Sequence, residues 1–372
     1  MDLLNLVSSS VHDLLGKKFP LHSDDKYLVA AVQWLKRAQD MTKDGGVAAE
    51  YSLLFGWRNS YIETTGYILV TFFALFDKTG DREYFTRALK MADFLLKVQL
   101  KSGAFQSGTP QDESIPRVFN TGEDIRGLVE AYRRTKNVKY LNGAVKAANW
   151  LVSIQEKDGS WIKHAYQGKR HSYHSRTSWA LLTVWEETKN VEYRKAARKN
   201  LDWVLQQQHK NGWFEECDFT NPPNPYTHAI DYVMSGLLES SKILRDKKLW
   251  VSEKKAADAL LKYYQKNHFM PATFNRNWKS KDKYCCLTGN AQIVISWMQL
   301  YKKTKQGKYL KNAQNLLNDI KKTINLATHD LNVQGAVAGA YPIYGGYDRF
   351  AYPNWATKFF IDALLMMKNE DK

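Results

Sequence analysis

One short pattern recurs along the chain and limits what it can fold into: a glutamine, a few polar residues, a glycine, then an apolar or aromatic residue. It reads QDMTKDGGV (39–47), QLKSGAF (99–105), QEKDGSW (155–161) and QHKNGW (208–213). Its glycines, Gly45, Gly103, Gly159 and Gly212, stand 58, 56 and 53 residues apart. Glycine suits the left-handed turn just beyond a helix C-terminus, so each copy marks the end of a helix. A regular period of this length is the signature of a repeat architecture.

A second pattern opens the helix that follows each turn. Its six copies are Glu63-Thr64-Thr65-Gly66-Tyr67, Asn120-Thr121-Gly122-Glu123-Asp124, His174-Ser175-Arg176-Thr177-Ser178-Trp179, Thr227-His228-Ala229-Ile230-Asp231-Tyr232, Leu287-Thr288-Gly289-Asn290-Ala291-Gln292 and Tyr352-Pro353-Asn354-Trp355-Ala356-Thr357. Thr, Ser, Asn and Asp at such starts are expected to cap free backbone N–H groups. Small and apolar helices follow, as in 125–132 and 292–300. Between them lie more basic segments, 82–96, 138–154, 191–206, 252–264 and 309–324, with apolar residues at helical spacing and Lys and Arg on the other face. An apolar inner helix, a short link, a basic outer helix and a long loop, repeated six times, predict an all-α (α/α)6 toroid in one domain over residues 1–372. The long loops then share one end of the ring, and such a mouth is where a functional site is expected.

The carrying stretches Asp44-Gly45-Gly46-Val47-Ala48, Tyr61-Ile62-Glu63-Thr64-Thr65-Gly66-Tyr67, Phe119-Asn120-Thr121-Gly122, Cys286-Leu287-Thr288-Gly289-Asn290-Ala291-Gln292 and Pro353-Asn354-Trp355-Ala356-Thr357-Lys358-Phe359-Phe360 resemble the prenyltransferase and squalene-cyclase-like toroid proteins of polysaccharide biosynthesis clusters. The likeness runs over about residues 32–365 and implies the architecture. Toroids of this kind also serve glycoside hydrolases, uronate lyases, sugar epimerases, terpene cyclases and protein prenyltransferases, so the fold does not choose a reaction. The Asp-rich clusters of the cyclases and prenyl synthases have no counterpart here; the nearest is Ser23-Asp24-Asp25-Lys26.

Composition narrows the partners. A net charge of +16 raises the local concentration of anions, although the basic residues are spread along helices as solvated faces would be. Twelve Trp and 21 Tyr supply rings for stacking on sugars. No nucleic-acid motif, no run of 18 apolar residues and no convincing signal peptide stand out, so a cytoplasmic protein without a membrane span is expected. Cys217, Cys285 and Cys286 make no disulfide framework and read as reduced thiols. The zinc pattern of the lanthionine cyclases, a Cys-His pair with a distant Cys, is not matched, because Leu287 follows Cys286. Neither a metal nor a cofactor is expected.

The mouth residues then invite specific roles. Glu63, flanked by Tyr61 and Tyr67, is either a carboxylate favoured by the helix dipole or a site acid. Asn120 and Asp124 start the second inner helix, Asn120 as an N-cap or a substrate contact. His171-Ser172-Tyr173-His174-Ser175-Arg176 is the densest chemical cluster: His174 or Tyr173 as base, Arg176 gripping a carboxylate. His228 and Asp231, at i and i+3, are placed to touch as an oriented catalytic pair, with Tyr226 beside them. Trp161, Trp213, Tyr344 and Asn354 complete the candidate substrate contacts. Together these point to an enzyme that removes the C5 proton of a uronate in an acidic oligo- or polysaccharide, as a lyase or epimerase. The alternatives are a glycoside hydrolase using carboxylates from Glu63, Asp124 and Asp231, and a toroid that binds glycan without turnover.

Overall fold

The computed structural model describes residues 2–219 and 224–368. Helix α1 (Leu3–Leu14) lies outside the ring, and α2 (Asp24–Asp40) follows. Five hairpins come next: α3 (Ile62–Thr79) with α4 (Arg82–Val98), α5 (Val118–Thr135) with α6 (Val138–Ser153), α7 (Ser175–Thr188) with α8 (Val191–Gln206), α9 (Thr227–Leu244) with α10 (Lys247–Asn267), and α11 (Leu287–Thr304) with α12 (Gly307–Lys321). The last helix, α13 (Asn354–Lys368), packs on α11, on α3 and on α2. The ring is therefore closed. The sixth outer helix, which the basic segments did not reveal, is α2 from the other end of the chain.

Inner helices are small and apolar because their backbones meet. A Cβ on Gly236 of α9 would stand 2.5 Å from the backbone of Ser175 in α7. At the narrow end each hairpin turns through a residue in left-handed conformation, Gly80, Lys136, Lys189, Arg245 or Lys305. The residue after it, Asp81, Asn137, Asn190 or Asp246, caps the outer helix through its side chain.

The recurring glutamine explains how neighbouring units are fastened. Gln155 Nε2 donates to Gly159 O in its own turn (3.0 Å) and to Ala196 O in the next outer helix (2.9 Å). Gln39, Gln99 and Gln208 make the same two bonds. The turn glycine sits against that helix: Gly159 has φ +92°, and a Cβ there would lie 2.5 Å from the Lys199 backbone. A fifth turn glycine, Gly335 (φ +76°), presses on Ala30 of α2 in the same way, but Gln334 before it donates to Leu326 O and Thr328 O within its own loop.

The expected caps at the inner starts are absent: Tyr61, Arg117, His174 and Tyr226 precede their helices without a side-chain cap. The threonines tie the loops down instead. Thr65, Thr121 and Thr357 Oγ1 accept from the N–H of Val47, Phe105 and Val337, two residues beyond each turn glycine. At the wide end, β1 (Glu50–Ser52) pairs antiparallel with β2 (Gly56–Trp57), and β3 (Cys285–Cys286) with β4 (Ala340–Tyr341). Strand β5 (Ala351–Pro353) pairs with β1, stitching the last loop to the first. The three thiols are free and buried.

Replacing Gln155 with Ala removes both clasp bonds, although Gly159 O keeps Asn200 Nδ2 as a donor, and urea denaturation is expected to show a loss of about 1–3 kcal/mol. Gly159→Ala is expected to cost more, since strain and overlap add at one atom.

Candidate functional site

The first turns of the inner helices converge on an aromatic floor across the ring axis. Phe119 lies 4.7 Å from Tyr232 and 5.3 Å from Tyr173, centroid to centroid, and Phe219 lies 4.9 Å from Tyr173. His228 is 4.3 Å from Tyr232 and 5.8 Å from Tyr347, while Tyr67 packs on Phe359 at 5.6 Å. Tyr67, Tyr173 and Tyr232 are buried; Tyr61, Glu63, Phe119, Phe219, Tyr226, Tyr347 and Trp355 stay partly open.

Beneath the floor runs a belt of buried charge. Glu123, fully buried, accepts from Arg176 Nε (2.8 Å) and Nη2 (2.6 Å) and from Arg126 Nη1 (2.7 Å). Burial alone would raise its pKa, but the two guanidiniums bring it down to about 2. Arg176 also donates to Ser235 Oγ, and Arg126 stacks over Trp179 at 3.4 Å. Lys358 pairs with Asp362 at 2.6 Å. Below the belt, toward the short links, an axial cavity of about 330 Å³ is lined by all six inner helices, among them Arg126, Arg176, Asp231, Gln292 and Lys358.

Glu63 stands at the rim above this belt. Its Oε2 accepts from Asn120 Nδ2 at 2.7 Å. Burial, reinforced by the negative charge of Glu123 and opposed by Arg176, pushes its carboxyl up to about 8. At neutral pH this favours its protonated form. Asp124 is driven well above the carboxylate range by burial and by Glu63 and Glu123, and neither of its oxygens has a hydrogen-bond partner among the described residues. It is fully buried, wedged against Gly66 between α5 and α3.

Several expected residues sit differently from their sequence reading. Asn120 lies inside α5 and serves Glu63 instead of capping the helix. Arg176 spends its fork on Glu123 and cannot grip a substrate carboxylate without breaking that pair. His174 is buried behind Tyr173, facing Trp161 and His171, with no partner on either ring nitrogen; burial holds it well below its usual range. His228 and Asp231 do not pair. His228 Nδ1–H donates to Gln292 Oε1 (2.7 Å), and Asp231 accepts from Ser296 Oγ (2.7 Å), both on α11. The helix face that carries them turns toward its neighbour, not along itself. Burial keeps His228 neutral, with a pKa of about 4, and lifts Asp231 to about 6.

Trp161 is core, its Nε1 donating to Leu151 O, and Trp213 is buried against Trp278. Asn354 Nδ2 closes the ring by donating to Ala48 O and Thr64 Oγ1. Tyr344 is half-buried in the last loop, and Tyr226 OH donates to Gly346 O. Sequence reading missed roles for Arg126, Phe119 and Lys358. The i, i+3 spacing of Glu123 and Arg126 was the available signal. Among the described residues no group of three or more His, Cys, Asp or Glu is placed to hold a metal ion, and no helix is long and apolar enough to cross a membrane.

Residues 58–237 match the family model of the squalene-hopene cyclase C-terminal domain. A 95-residue stretch is 33% identical to squalene–hopene cyclase of Bradyrhizobium diazoefficiens, covering 23% of this chain and 14% of that protein, so the match spans a small part of the relative. The prenyltransferase and squalene-cyclase-like resemblance thus rests on a recognisable segment. Over nearly its full length the chain is similar to solved toroids. One is an unsaturated glucuronyl hydrolase specific for heparin, with a TM-score of 0.74 and 16% identity over 94% of this chain and 98% of that one. Another is the unsaturated glucuronyl hydrolase of Bacillus sp. GL1, with a TM-score of 0.73 and 13% identity over 94% and 97%. Cellobiose 2-epimerase from Spirochaeta thermophila has a TM-score of 0.70 and 13% identity over 91% and 94%. The fold is the (α/α)6 toroid.

A carboxyl whose pKa is raised on folding lowers stability as pH climbs from its unfolded value to its folded one. Glu63→Gln removes that loss and can keep the Asn120 bond. Its Tm is expected to equal the parent's near pH 4.5 and to exceed it increasingly up to about pH 8. Identical pH curves for the two proteins would contradict the shift.

Proposed function

We propose that this protein is a carbohydrate-active enzyme in which Glu63 donates a proton to an acidic oligosaccharide bound across the aromatic floor. The observation that carries the reading is a half-buried carboxyl, held by Asn120 beside open aromatic rings, whose pKa burial and Glu123 push up to about 8. Acids tuned near the working pH are the effective ones. The likeness in fold to glucuronyl hydrolases and cellobiose epimerases supports a sugar as the substrate.

A hydrolytic step then balances as follows. The sugar stacks on the partly open rings of Phe119 and Tyr347. The glycosidic C–O bond breaks as the Glu63 proton passes to the leaving oxygen. Water adds to the anomeric carbon and loses its proton to the free nitrogen of neutral His228. Glu123 never accepts that proton, because two arginines hold it ionised; it keeps the proton on Glu63 until substrate takes it. The hydrolase reading is preferred to proton abstraction at C5, since Arg176 is engaged and His174 is enclosed.

One observation favours a second reading. His228, neutral and on the floor, could serve as the base that takes a C–H proton, as an epimerase or lyase requires. Solvent deuterium entering a sugar carbon without chain cleavage identifies epimerisation, and an unsaturated product absorbing in the ultraviolet identifies elimination.

For the hydrolase, Glu63→Gln is expected to lower kcat by about 10²–10⁴-fold, and kcat/KM of the parent is expected to fall above about pH 8 as the acid ionises. Release of reducing ends from acidic oligosaccharides measures both. Unchanged turnover in Glu63→Gln sinks the acid assignment. Oligosaccharide binding with no turnover at any pH would leave a glycan-binding toroid.

A further inference from the structure

The outer wall carries a groove that the mouth chemistry does not use. Its floor is the face of α10 bearing Lys255, Lys262 and Lys266, three residues at i, i+7 and i+11 that share one side of a helix. One wall is the turn at Lys210 and Asn211, the other the segment Asn277-Trp278-Lys279, and the volume is about 690 Å³. All five lysines are exposed. Among the described residues none of them lies within ion-pair distance of a carboxylate. The one acid in the lining, Asp258, is already held by Lys254 and Tyr309.

The ring in this groove is set in place. Trp278 adopts φ +55°, a left-handed conformation that a bulky residue takes only when its surroundings enforce it. Asn275 Oδ1 accepts from the backbone N–H of Asn277 and Lys279, building the turn. Trp278 Nε1 donates to Asn211 O (3.0 Å), Asn211 Nδ2 donates to Arg276 O (2.9 Å), and the indole packs on Trp213 and Phe274. The part of the ring left open lines the groove. A partly exposed aromatic plane with fixed orientation is a stacking platform.

The repeat supplies an internal control. The equivalent concavity of the first unit lies between the Gly45 turn and α4. There Lys43, Arg87, Lys90 and Lys97 face Asp40, Asp44 and Asp93. The same architecture is charge-balanced in one unit and one-sided in the other, so the fold does not demand the lysines of α10. The loop that carries Trp278 also reaches the mouth, where Ala272 O accepts from Thr227 N at the start of α9 and Thr273 bridges to Tyr226.

We propose that this groove is a binding track for an acidic polysaccharide, with Trp278 stacking on one sugar and the lysines holding its anionic groups. The loop that carries Trp278 also contacts the mouth, so a polymeric substrate is the class that would engage both. This rests on the reading of the mouth as a sugar site. A single-stranded nucleic acid offers the same charge and a stackable ring, but a lone platform beside a sugar-type toroid mouth fits a glycan better.

Binding is measured by titration calorimetry with polygalacturonate, neutral dextran and oligothymidylate, at low and high salt. Lys255→Gln/Lys262→Gln/Lys266→Gln is expected to weaken polygalacturonate at least about tenfold at low salt and to flatten the salt dependence. Trp278→Ala is expected to weaken it several-fold with the salt slope unchanged, and Lys43→Gln/Lys90→Gln/Lys97→Gln to leave it as in the parent. Glu63→Gln is expected to bind the polymer normally, so a wrong acid and a wrong groove give different results. Parental binding by the α10 triple variant overturns the proposal. So does equal loss in the two triple variants, which would mean overall charge alone, or tighter binding of oligothymidylate than of polygalacturonate through the same lysines.

Discussion

Closing a ring of six helical hairpins requires that each outer helix meet the next unit's turn with no orphaned backbone between them, and one glutamine amide solves this. Each of its two N–H bonds satisfies a carbonyl, one in its own turn and one in the adjacent helix. Glycine at the turn lets the backbones touch. Made at four turns, by Gln39, Gln99, Gln155 and Gln208, the clasp fixes the angle at which α3, α5, α7 and α9 enter, and so where their first residues point. The mouth is a consequence of that spacing.

Within the ring, the belt around Glu123 sets the chemistry above it. A buried carboxylate held by two arginines is costly to break, because either partner left alone would be an unpaired interior charge. Its negative charge and the low polarity of the aromatic floor both oppose ionisation of Glu63. A carboxyl kept protonated in this way disfavours the fold at neutral pH, and in the enzyme proposed above it is the group that donates the proton. Perturbed titratable groups of this kind cluster in functional clefts.

How much of this was legible in the sequence depends on the range of the interaction. The toroid was, because turn glycines and helix starts are local and repeat. Its closure was only partly so. Helix α2 serves as the sixth outer helix across nearly the whole chain, and the turn that meets it keeps the glycine, Gly335, without the clasping glutamine. Glu63 as a mouth residue was visible from its place at a helix start. The partners that tune it were not, since Glu123 and Arg176 come from different inner helices. The His228–Asp231 pairing failed for a related reason: residues at i and i+3 can touch, but both met better partners on α11. His174 stood in a chemically dense stretch, and density along the chain said nothing about its enclosure behind Tyr173.

The central claim is that Glu63 carries a proton at neutral pH. Difference infrared spectroscopy on protein labelled with ¹³C-glutamate, taken against Glu63→Gln, reads that proton directly. The account predicts a protonated carboxyl band at pH 7 that is lost as pH passes about 8. A carboxylate band already complete at pH 6 would contradict it.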